Sequence, residues 1–433
     1  MQMMFLGKPV RMFAITRRPI QFMSIICAMF AMVTPPRSYG QTPDLAPPYG
    51  DCSLAYWSSN RNLDDRRGVS STLCLANWRL ALGETSRLSF NARAQYSDNK
   101  SGGQVREAYL DQEFGAVSLR MGRQIIAWGR ADRINPSDVL SPRDFRLLSS
   151  EDDDQRDGIN AVKLRYTIAP ELSATLVAAQ FQAHQVPQGS LPINIVKAAK
   201  PHRAEWAAKL DHAGSGIDWS VFLFDGYDRN TRYRLTFLGA AAPILLGDYE
   251  RVKAVGGDIA SASGPWTLRA EFSHSQLSIK CGECPENKRV VTRLVAGVDR
   301  DVIGTLNINL QFFGIQRTGK QSIVTTQIPL AVNEGLNRIN EGLNRINREF
   351  AHIETGVAIR VSDRILNEKL KWEFSVTHDF TGHSTLLRPR LSYAINDQII
   401  VSLGADKYVG RQQTYFGSLA KNSSQYLSIN VAF

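Results

Sequence analysis

The feature that most constrains the fold of this chain is an alternation of apolar and polar residues in segments of about ten residues. In the segment 305–313, leucine, isoleucine and phenylalanine occupy every second position, with asparagine or glutamine between them. The segments 87–96, 266–273 and 369–377 follow the same rule. Successive side chains of a β-strand point to opposite faces, so each segment is predicted to be a strand with one apolar face. A soluble β-sandwich and a transmembrane β-barrel both fit this alternation.

The lengths of the connections between these segments distinguish the two folds. Short connections are expected near 83–85, 113–116, 168–171, 213–216, 263–265, 299–302, 362–367 and 395–398. Long connections are expected near 97–104, 129–157, 185–202, 226–248, 280–288, 317–350, 379–384 and 409–422. Outer-membrane barrels have short turns at one end and longer loops at the other, which gives this alternation of lengths. With one further strand near 53–57, the chain is predicted to form an all-β, antiparallel up-and-down transmembrane barrel over residues 51–433, with about 18 strands and 16 as the alternative.

The C-terminal residues continue the alternation. Leu427, Ile429, Val431 and Phe433 share one face of a predicted strand. This resembles the last strand of Gram-negative outer-membrane proteins, in which a terminal phenylalanine closes the barrel and is recognised by the assembly machinery. The resemblance implies that Phe433 is a barrel-assembly signal, and that this machinery and outer-membrane lipid are partners of the chain.

The N-terminal 40 residues have the pattern of a cleavable signal peptide. Five basic residues and no acidic residue accompany an apolar run at 22–33, and small residues stand at Ser38 and Gly40. The expected organisation is a signal peptide at 1–40, a periplasmic segment at 41–50 and then the barrel. A retained anchor helix is the alternative, for which the apolar run is short.

Composition excludes two other classes of protein. Beyond the N-terminus no apolar run approaches the roughly 18 residues of a membrane-spanning helix, and the mean hydropathy is −0.22. Without the basic residues of the predicted signal peptide, the net charge falls from +10 to +5. No basic stretch with interleaved aromatic residues is present, so we do not expect a nucleic-acid partner.

Four cysteines follow the predicted signal peptide: Cys52, Cys74, Cys281 and Cys284. An even number in an exported protein favours disulfides. Cys52 with Cys74 is a plausible pair, and a clip between Cys281 and Cys284 is expected across a loop. A redox or zinc half-site at the second pair is the alternative, but zinc needs two further ligands that are not spaced nearby. We therefore expect neither a metal nor a cofactor.

The segment 123–157 concentrates charge, with six arginines and eight carboxylates. Such a segment fits a loop folded into the barrel, expected at 128–157, where paired charges narrow and select the pore. The constriction candidates are Arg123, Arg130, Asp132, Arg133, Asp138, Arg143, Asp144, Asp152, Asp153 and Asp154. Arg123 falls on the apolar face of its strand, so a bulge is predicted beside Gly122. A solvated outer loop and a calcium site at 151–154 are the alternatives.

The polar faces of the predicted strands carry more basic than acidic residues. The candidates for the wall of the lumen are Arg93, Arg120, Lys163, Arg165, Arg269, Arg293, Arg360, Lys371, Arg388 and Arg390. Carboxylates on the same faces, such as Glu271, Glu354 and Glu373, are fewer. This excess predicts that small anionic solutes are favoured.

One motif carries a resemblance to a known family. Residues 122–124 read Gly-Arg-Gln and are followed by Trp128-Gly129, Asn135-Pro136 and Asp138. This GRQ…WG…NP.D pattern resembles one found in poorly characterised, porin-like outer-membrane barrels of proteobacteria. The resemblance implies a passive channel in the outer membrane of a Gram-negative bacterium, and a homo-oligomer is its family-level expectation.

The function expected from the sequence is therefore non-enzymatic passage of small polar, anionic or amphiphilic solutes. The alternative is a non-conducting barrel that acts as an accessory subunit or receptor for an export system. The exact repeat of Asn333–Ile339 at 340–346 is either a tolerated duplication in a long outer loop or an amphipathic helix that acts as a lid or binds a partner. An outer-membrane hydrolase is a weaker hypothesis, because His378 and Asp379 would point to opposite faces and His383 borders a loop.

Overall fold

The computed structural model describes a barrel and the segments that enter it. The residues that the structure describes are 47–59, 68–97, 100–132, 134–186, 194–197, 199–236, 244–279, 287–319, 347 and 349–433. The signal peptide, Arg133, the second cysteine pair and the duplicated segment were predicted from sequence and lie outside these residues.

Eighteen strands of the described chain form a single antiparallel sheet. They are β1 (Tyr49–Ser59), β2 (Gly68–Ala81), β3 (Ser86–Ser97), β4 (Lys100–Phe114), β5 (Val117–Gln124), β6 (Ile159–Ala169), β7 (Leu172–Ala179), β9 (Glu205–His212), β10 (Ile217–Tyr227), β13 (Arg251–Ser263), β14 (Trp266–Ile279), β15 (Asn287–Ile303), β16 (Leu306–Thr318), β17 (Ile353–Ile365), β18 (Leu370–Asp379), β19 (Ser384–Ala394), β20 (Ile399–Val409) and β21 (Ser424–Ala432). Three short strands make a separate sheet: β8 (Asn194–Lys197), β11 (Arg232–Thr236) and β12 (Ile244–Asp248).

The large sheet closes on itself because β1 pairs with both β2 and β21. At the seam, the Gly50 N–H donates to the Phe433 carbonyl at 3.0 Å, and the Phe433 N–H donates to the Gly50 carbonyl at 2.9 Å. Cys52 lies opposite Cys74 in the β1–β2 register, and the two form a disulfide. The predicted antiparallel barrel of 18 strands is confirmed, and the 16-stranded alternative is excluded.

The alternation of the sequence becomes the two faces of the wall. In β10, Val221 and Leu223 are 50% and 61% exposed on the outside, whereas Phe222 and Phe224 are 2% and 4% exposed on the inside. Across the barrel, the outward residues are mostly apolar and the inward residues mostly polar. An apolar outer band can face lipid while the polar inner face lines a lumen, which is the pattern of a transmembrane barrel.

The two rims differ in their connections. The short-turn rim carries the turns 82–85, 115–116, 170–171, 213–216, 264–265, 304–305, 366–369 and 395–398. The opposite end, here called the long-loop rim, carries the longer connections, among them 125–158, 228–250 and 319–352. Two predicted turns lie earlier than the observed ones, because β15 and β17 extend to Ile303 and Ile365.

One predicted long connection is wrong. Residues 97–104 are polar and rich in glycine, and were expected to form a loop. Instead β3 and β4 pair up to Ser97 and Lys100, with Gly102 opposite Gln95. The neighbouring strand supplies hydrogen-bond partners that local composition does not reveal, so pairing overrides the weak strand propensity of these residues.

Helical structure is limited to short turns in the described residues. A single helical turn, α1, spans Tyr415–Ser418, and 3-10 turns lie at Asp152–Gln155 and Ala420–Asn422. None of the helices in this part of the chain has the length and apolar character required to span a membrane.

Candidate functional site

The segment 125–158, between β5 and β6, crosses the interior of the barrel and is here called the inner loop. It contacts β3 and β4 on one side and β13, β14 and β16 on the other. Strands β3 and β14 lie nearly opposite each other in the 18-stranded ring. The inner loop therefore divides the lumen between the two rims.

One attachment of the inner loop is a buried ion cluster at β3, here called the anchor. The Arg93 guanidinium lies 3.0 Å from an Asp157 oxygen and 3.6 Å from an Asp144 oxygen. These side chains are only 1%, 3% and 1% exposed, respectively. Arg93 also donates to the Asp154 carbonyl at 3.0 Å, and Gln104 donates to Asp157 at 2.6 Å. Burial raises the pKa of Asp157, although the charge of Arg93 opposes that rise.

A β-bulge in β4 supplies a second attachment that the sequence pattern hides. Asn91 pairs with Glu107 and Ala92 with Val105, so Arg106 is an extra residue between them. Arg106 points inward and donates to the Arg156 carbonyl at 2.7 Å and to the Asp153 carbonyl. A bulge re-aims one side chain, which is why the simple alternation did not identify Arg106.

On the opposite wall, Glu271 of β14 holds the start of the inner loop. Its carboxylate accepts from the backbone N–H groups of Arg130 and Ala131, and from that of Ser137 at 3.4 Å. Gly129 has a φ of +98°, and a Cβ there would lie 2.6 Å from the Glu271 carboxylate. A glycine is therefore required at the turn where the chain meets this acceptor.

One carboxylate, one amide and one guanidinium of the wall complete this side of the inner loop. Arg130 forms an ion pair with Asp258 of β13. Asp132 accepts from the Asn309 amide at 2.5 Å and lies 3.4 Å from the Arg269 guanidinium.

The acidic run 151–154 faces the wall at β19 and the interior of the loop itself. Arg388 pairs with Asp152 at 3.0 Å and with Asp406 at 2.9 Å, and Arg390 lies 3.9 Å from Glu151. Asp153 pairs with Arg156 at 3.0 Å, and Asp154 accepts from Ser149. The carboxylates are thus directed to separate partners rather than to one shared centre.

Several constriction candidates hold the loop together instead of facing solute. Asp138 is buried and pairs with Arg156 and, at 3.7 Å, with Arg143. Burial raises the pKa of Asp138, and the charges of Arg156 and Arg143 counteract it. The Asp138 side chain is 8% exposed and that of Asp144, in the anchor, is 1% exposed, so neither carboxylate is accessible to a solute.

The prediction that Arg123 lines the pore constriction is wrong. The bulge expected beside Gly122 is absent, because β5 pairs with β4 and β6 without a register shift. Arg123 therefore shares the outward face of Met121 and donates to the Val105 carbonyl at 2.8 Å and to Gln182 at 3.1 Å. It lies outside the pore.

The ten predicted wall residues separate by their surroundings. Arg93, Arg269, Arg388 and Arg390 contact the inner loop as described above. Arg120 pairs with Asp111 at 2.6 Å, and Arg360 lies 3.7 Å from Asp299. Lys163 and Arg165 line a cavity of about 370 Å³ below the inner loop. Lys371 is exposed. The last of the ten, Arg293, lines a different cavity.

Arg293 lies in a cavity of about 520 Å³ between the inner loop and the long-loop rim, here called the upper cavity. Phe313, Ile315, Tyr415 and Phe416 contribute its apolar and aromatic lining. Among the described residues, Arg293 forms neither a hydrogen bond nor an ion pair, while it lines this space from the inward face of β15.

The other arginines of the upper cavity are paired. Arg289 bonds Glu250 at 2.9 Å and Glu349 at 2.5 Å, and Arg232 bonds Glu349 at 2.7 Å. Burial alone would raise the pKa of Glu349, but the hydrogen bond and charge of Arg232, with the charge of Arg289, bring it below its ordinary value. These contacts leave Arg293 as the guanidinium that a ligand in this cavity could reach.

The sequence pattern did not identify the network of arginines around Glu349. Arg289 stands four residues before Arg293 in β15, so strand alternation places both on the inward face and could have identified it. Arg232 and Glu349 come from separate connections at the long-loop rim, for which alternation gives no signal.

The histidines of the hydrolase hypothesis do not form a catalytic group in the structure. The His378 ring lies on the outward face of β18, where it contacts Thr385 at 2.8 Å. The Asp379 carboxylate lies on the other face and accepts from Thr381 at 3.0 Å and from Ser384 at 3.3 Å. The two side chains therefore diverge, as strand geometry predicts. His383 occupies the turn that follows, with a φ of +49°.

The fold is similar to that of several solved outer-membrane porins. Pseudomonas aeruginosa OccK2 (OpdF), solved in complex with glucuronate, is 10% identical, with a TM-score of 0.53 over 90% of this chain and 98% of that one. OpdK of the same organism, solved with vanillate, is 9% identical, with a TM-score of 0.52 over 89% and 98%. Acinetobacter baumannii OccAB4 is 10% identical, with a TM-score of 0.52 over 92% and 100%.

At these identities the likeness establishes the fold. No family model matches the chain. A search of curated proteins also finds no match to the sequence.

Proposed function

We propose that this protein is a passive outer-membrane channel for small carboxylate-bearing solutes, with the long-loop rim facing outward. The observation that carries the proposal is Arg293, which lines the upper cavity without a partner among the described residues. An arginine offers a planar, permanently charged fork that binds a carboxylate in two places.

The surroundings of Arg293 favour anions that also have an apolar part. Phe313, Tyr415 and Phe416 line the same cavity, so an aromatic or ring-shaped solute can contact them while its carboxylate meets the guanidinium. The paired charges of the inner loop narrow the path below and impose a field across it. The channel then selects among solutes through weak, reversible contacts with these side chains, and no covalent chemistry is needed.

The solved neighbours support this solute class. Glucuronate and vanillate, found with OccK2 and OpdK, are both small carboxylates. The GRQ…WG…NP.D motif resembles that of porin-like barrels and is part of this proposal, and its Gly129 forms the turn at Glu271. Export through a cleaved signal peptide, a Gram-negative outer membrane and a homo-oligomeric state belong to this proposal.

The test is single-channel conductance of the purified protein in planar bilayers under a salt gradient, with glucuronate and vanillate as blocking solutes. Replacing Arg293 by glutamine should weaken the apparent affinity for vanillate by about tenfold, as loss of a hydrogen bond to a charged group does. The reversal potential should also shift away from anion selectivity.

Arg300→Gln is the matched control. Arg300 lies on the outward face of the same strand, with its guanidinium 4.4 Å from the centre of the Trp266 ring, and its loss should leave conductance unchanged. A folded, heat-modifiable barrel without any conductance would refute the channel. It would favour the alternative of an accessory subunit or receptor for an export system.

A further inference from the structure

A concentrated basic surface lies on the outside of the barrel at the long-loop rim. It surrounds a cleft of about 620 Å³, lined by residues of β10, β13, β14, β15 and the connection before β9. Its charged residues, here called the rim patch, are Arg203, Arg251, Lys253, Lys288 and Asp225. Among the described residues of the lining, Arg251 pairs with Asp225, and Arg203 and Lys253 add further positive charge to the cleft.

Strand alternation places the rim patch on the lipid-facing side of the wall. Lys253 shares the face of Val255 and Ile259, which are exposed on the outside of β13. The alternate residues Ala254 and Asp258 are buried on the inside, and Asp258 pairs with Arg130 of the inner loop. The rim patch is therefore separate from the lumen and from the proposed path of the solute.

The rim patch lies directly above the apolar band. Val255 is two residues from Lys253 along β13, or about 7 Å at the usual rise of a strand. Trp206, Leu223 and Leu294 continue the exposed apolar surface on neighbouring strands. Two tyrosines, Tyr227 and Tyr249, line the same cleft, as aromatic residues do where a barrel meets the membrane interface.

The register brings the cations close together. Lys253 lies between Asp225 of β10 and Gln276 of β14, and Arg251 pairs across to Ser278, which in turn lies opposite Lys288. Neighbouring strands are about 4.8 Å apart, so these side chains can converge on one group. The Asp225 carboxylate lies 2.5 Å from Arg251 and occupies only part of this positive surface.

Clustered like charges repel one another and destabilise the folded state unless an anion lies between them. At the depth of lipid headgroups, the anion that fits is a phosphate with an acyl-bearing body that can cover the apolar band below. We propose that the rim patch binds the phosphate of a phosphorylated lipid in the leaflet at the long-loop rim. A phosphorylated lipid neutralises the cations with its phosphate and covers the apolar surface with its acyl chains, whereas free phosphate only neutralises the cations.

The first measurement uses the wild-type full chain, folded in detergent and mixed with diphosphoryl or monophosphoryl lipid A. Native mass spectrometry then counts the lipid that stays bound. Diphosphoryl lipid A should be retained more strongly than the monophosphoryl form, and inorganic phosphate at equal concentration should not displace it. Failure to retain diphosphoryl lipid A, or its displacement by inorganic phosphate alone, would overturn the lipid proposal.

The second measurement uses the double variant Arg203→Gln/Lys253→Gln. Each basic residue near an anionic membrane surface contributes about 1 kcal/mol, so retention of diphosphoryl lipid A should fall by roughly tenfold to thirtyfold. Lys407→Gln is the matched control, because Lys407 is exposed on the outward face of β20, opposite Leu387 and away from the patch. Equal losses in the double variant and the control would refute the proposal, and conductance should be unchanged in both.

Discussion

Arg93 and Arg293 occupy equivalent positions in the sequence pattern and very different positions in the molecule. Both stand on the inward face of a strand, and alternation alone assigns both to the wall of a pore. Arg93 is 1% exposed between Asp144 and Asp157, whereas Arg293 lines an open cavity with no partner among the described residues. An inward arginine is therefore a structural or a solute-binding residue according to what the loops place beside it.

The inner loop causes this difference. It brings a high density of carboxylates to β3 and β19, where they neutralise Arg93 and Arg388. Among the described residues of the inner loop, no carboxylate forms an ion pair with Arg293, which lies above the loop on β15, although Asp152 lines the same cavity. The charge that remains available in the lumen is set by the course of one segment.

Removal of the anchor arginine should have the largest effect. In Arg93→Gln, the carboxylates of Asp144 and Asp157 would stay buried without their cation, which costs about 3–5 kcal/mol. We expect the inner loop to detach from β3 while the barrel remains closed. Single-channel recordings should show larger and noisier conductance, and limited proteolysis should cleave within 125–158.

Arg120→Gln is the control for that experiment. Arg120 also pairs with an aspartate, Asp111, but both belong to the wall and neither contacts the inner loop. Its conductance should match that of the wild type. An unchanged, quiet channel in Arg93→Gln would show that the anchor does not hold the loop.

A second change should convert Arg293 into a paired residue like Arg93. Ile315 lies opposite Arg293 in the β15–β16 register, so Ile315→Glu places a carboxylate beside the guanidinium. Directly opposed charges attract by roughly 0.2–1 kcal/mol, enough to lower the apparent vanillate affinity by about 1.4-fold to fivefold. Ile315→Gln controls for the loss of apolar volume, and equal affinities in the two variants would refute pairing as the cause.

The smallest expected effect is a difference in how acid changes stability in two regions, the inner loop and the network around Glu349. Burial raises the pKa of Asp154 and Asp157, so the folded inner loop binds protons more tightly than the unfolded chain. Their contribution to stability therefore increases as the pH falls toward the ordinary aspartate value of 3.8. The pKa of Glu349 is lowered, so its contribution is present above 4.5 and is lost as the pH falls through the lowered value.

Hydrogen exchange, corrected for intrinsic rates, can measure this contrast in steps from about pH 6 to below the ordinary carboxyl values. Amides of the inner loop should keep or gain protection over the window above 3.8, while those around Glu349 lose it only below 4.5. Loss of protection in the inner loop before that at Glu349 would contradict the assigned directions.

Much of the fold is determined by local sequence. Alternation of apolar and polar residues depends only on the two faces of a strand, so strands such as 266–273 and 305–313 can be recognised from sequence. The alternating lengths of the connections then indicate a barrel. The same rule placed Arg388 and Arg390 inside. It failed where a residue departs from the simple pairing, as at Arg106 in its bulge and at the pairing of Gly102 with Gln95.

The sequence by itself therefore determined an antiparallel barrel with an outward apolar band, a basic inner face and a charged loop after β5. Only the tertiary structure decided that Arg123 lies outside, that Arg93 is buried, and that Arg293 has no partner among the described residues. The physical reason is the separation along the chain of the residues that decide each property. Which side of the wall a side chain occupies depends on its neighbours along the strand, whereas the charge it meets comes from segments far away in the chain.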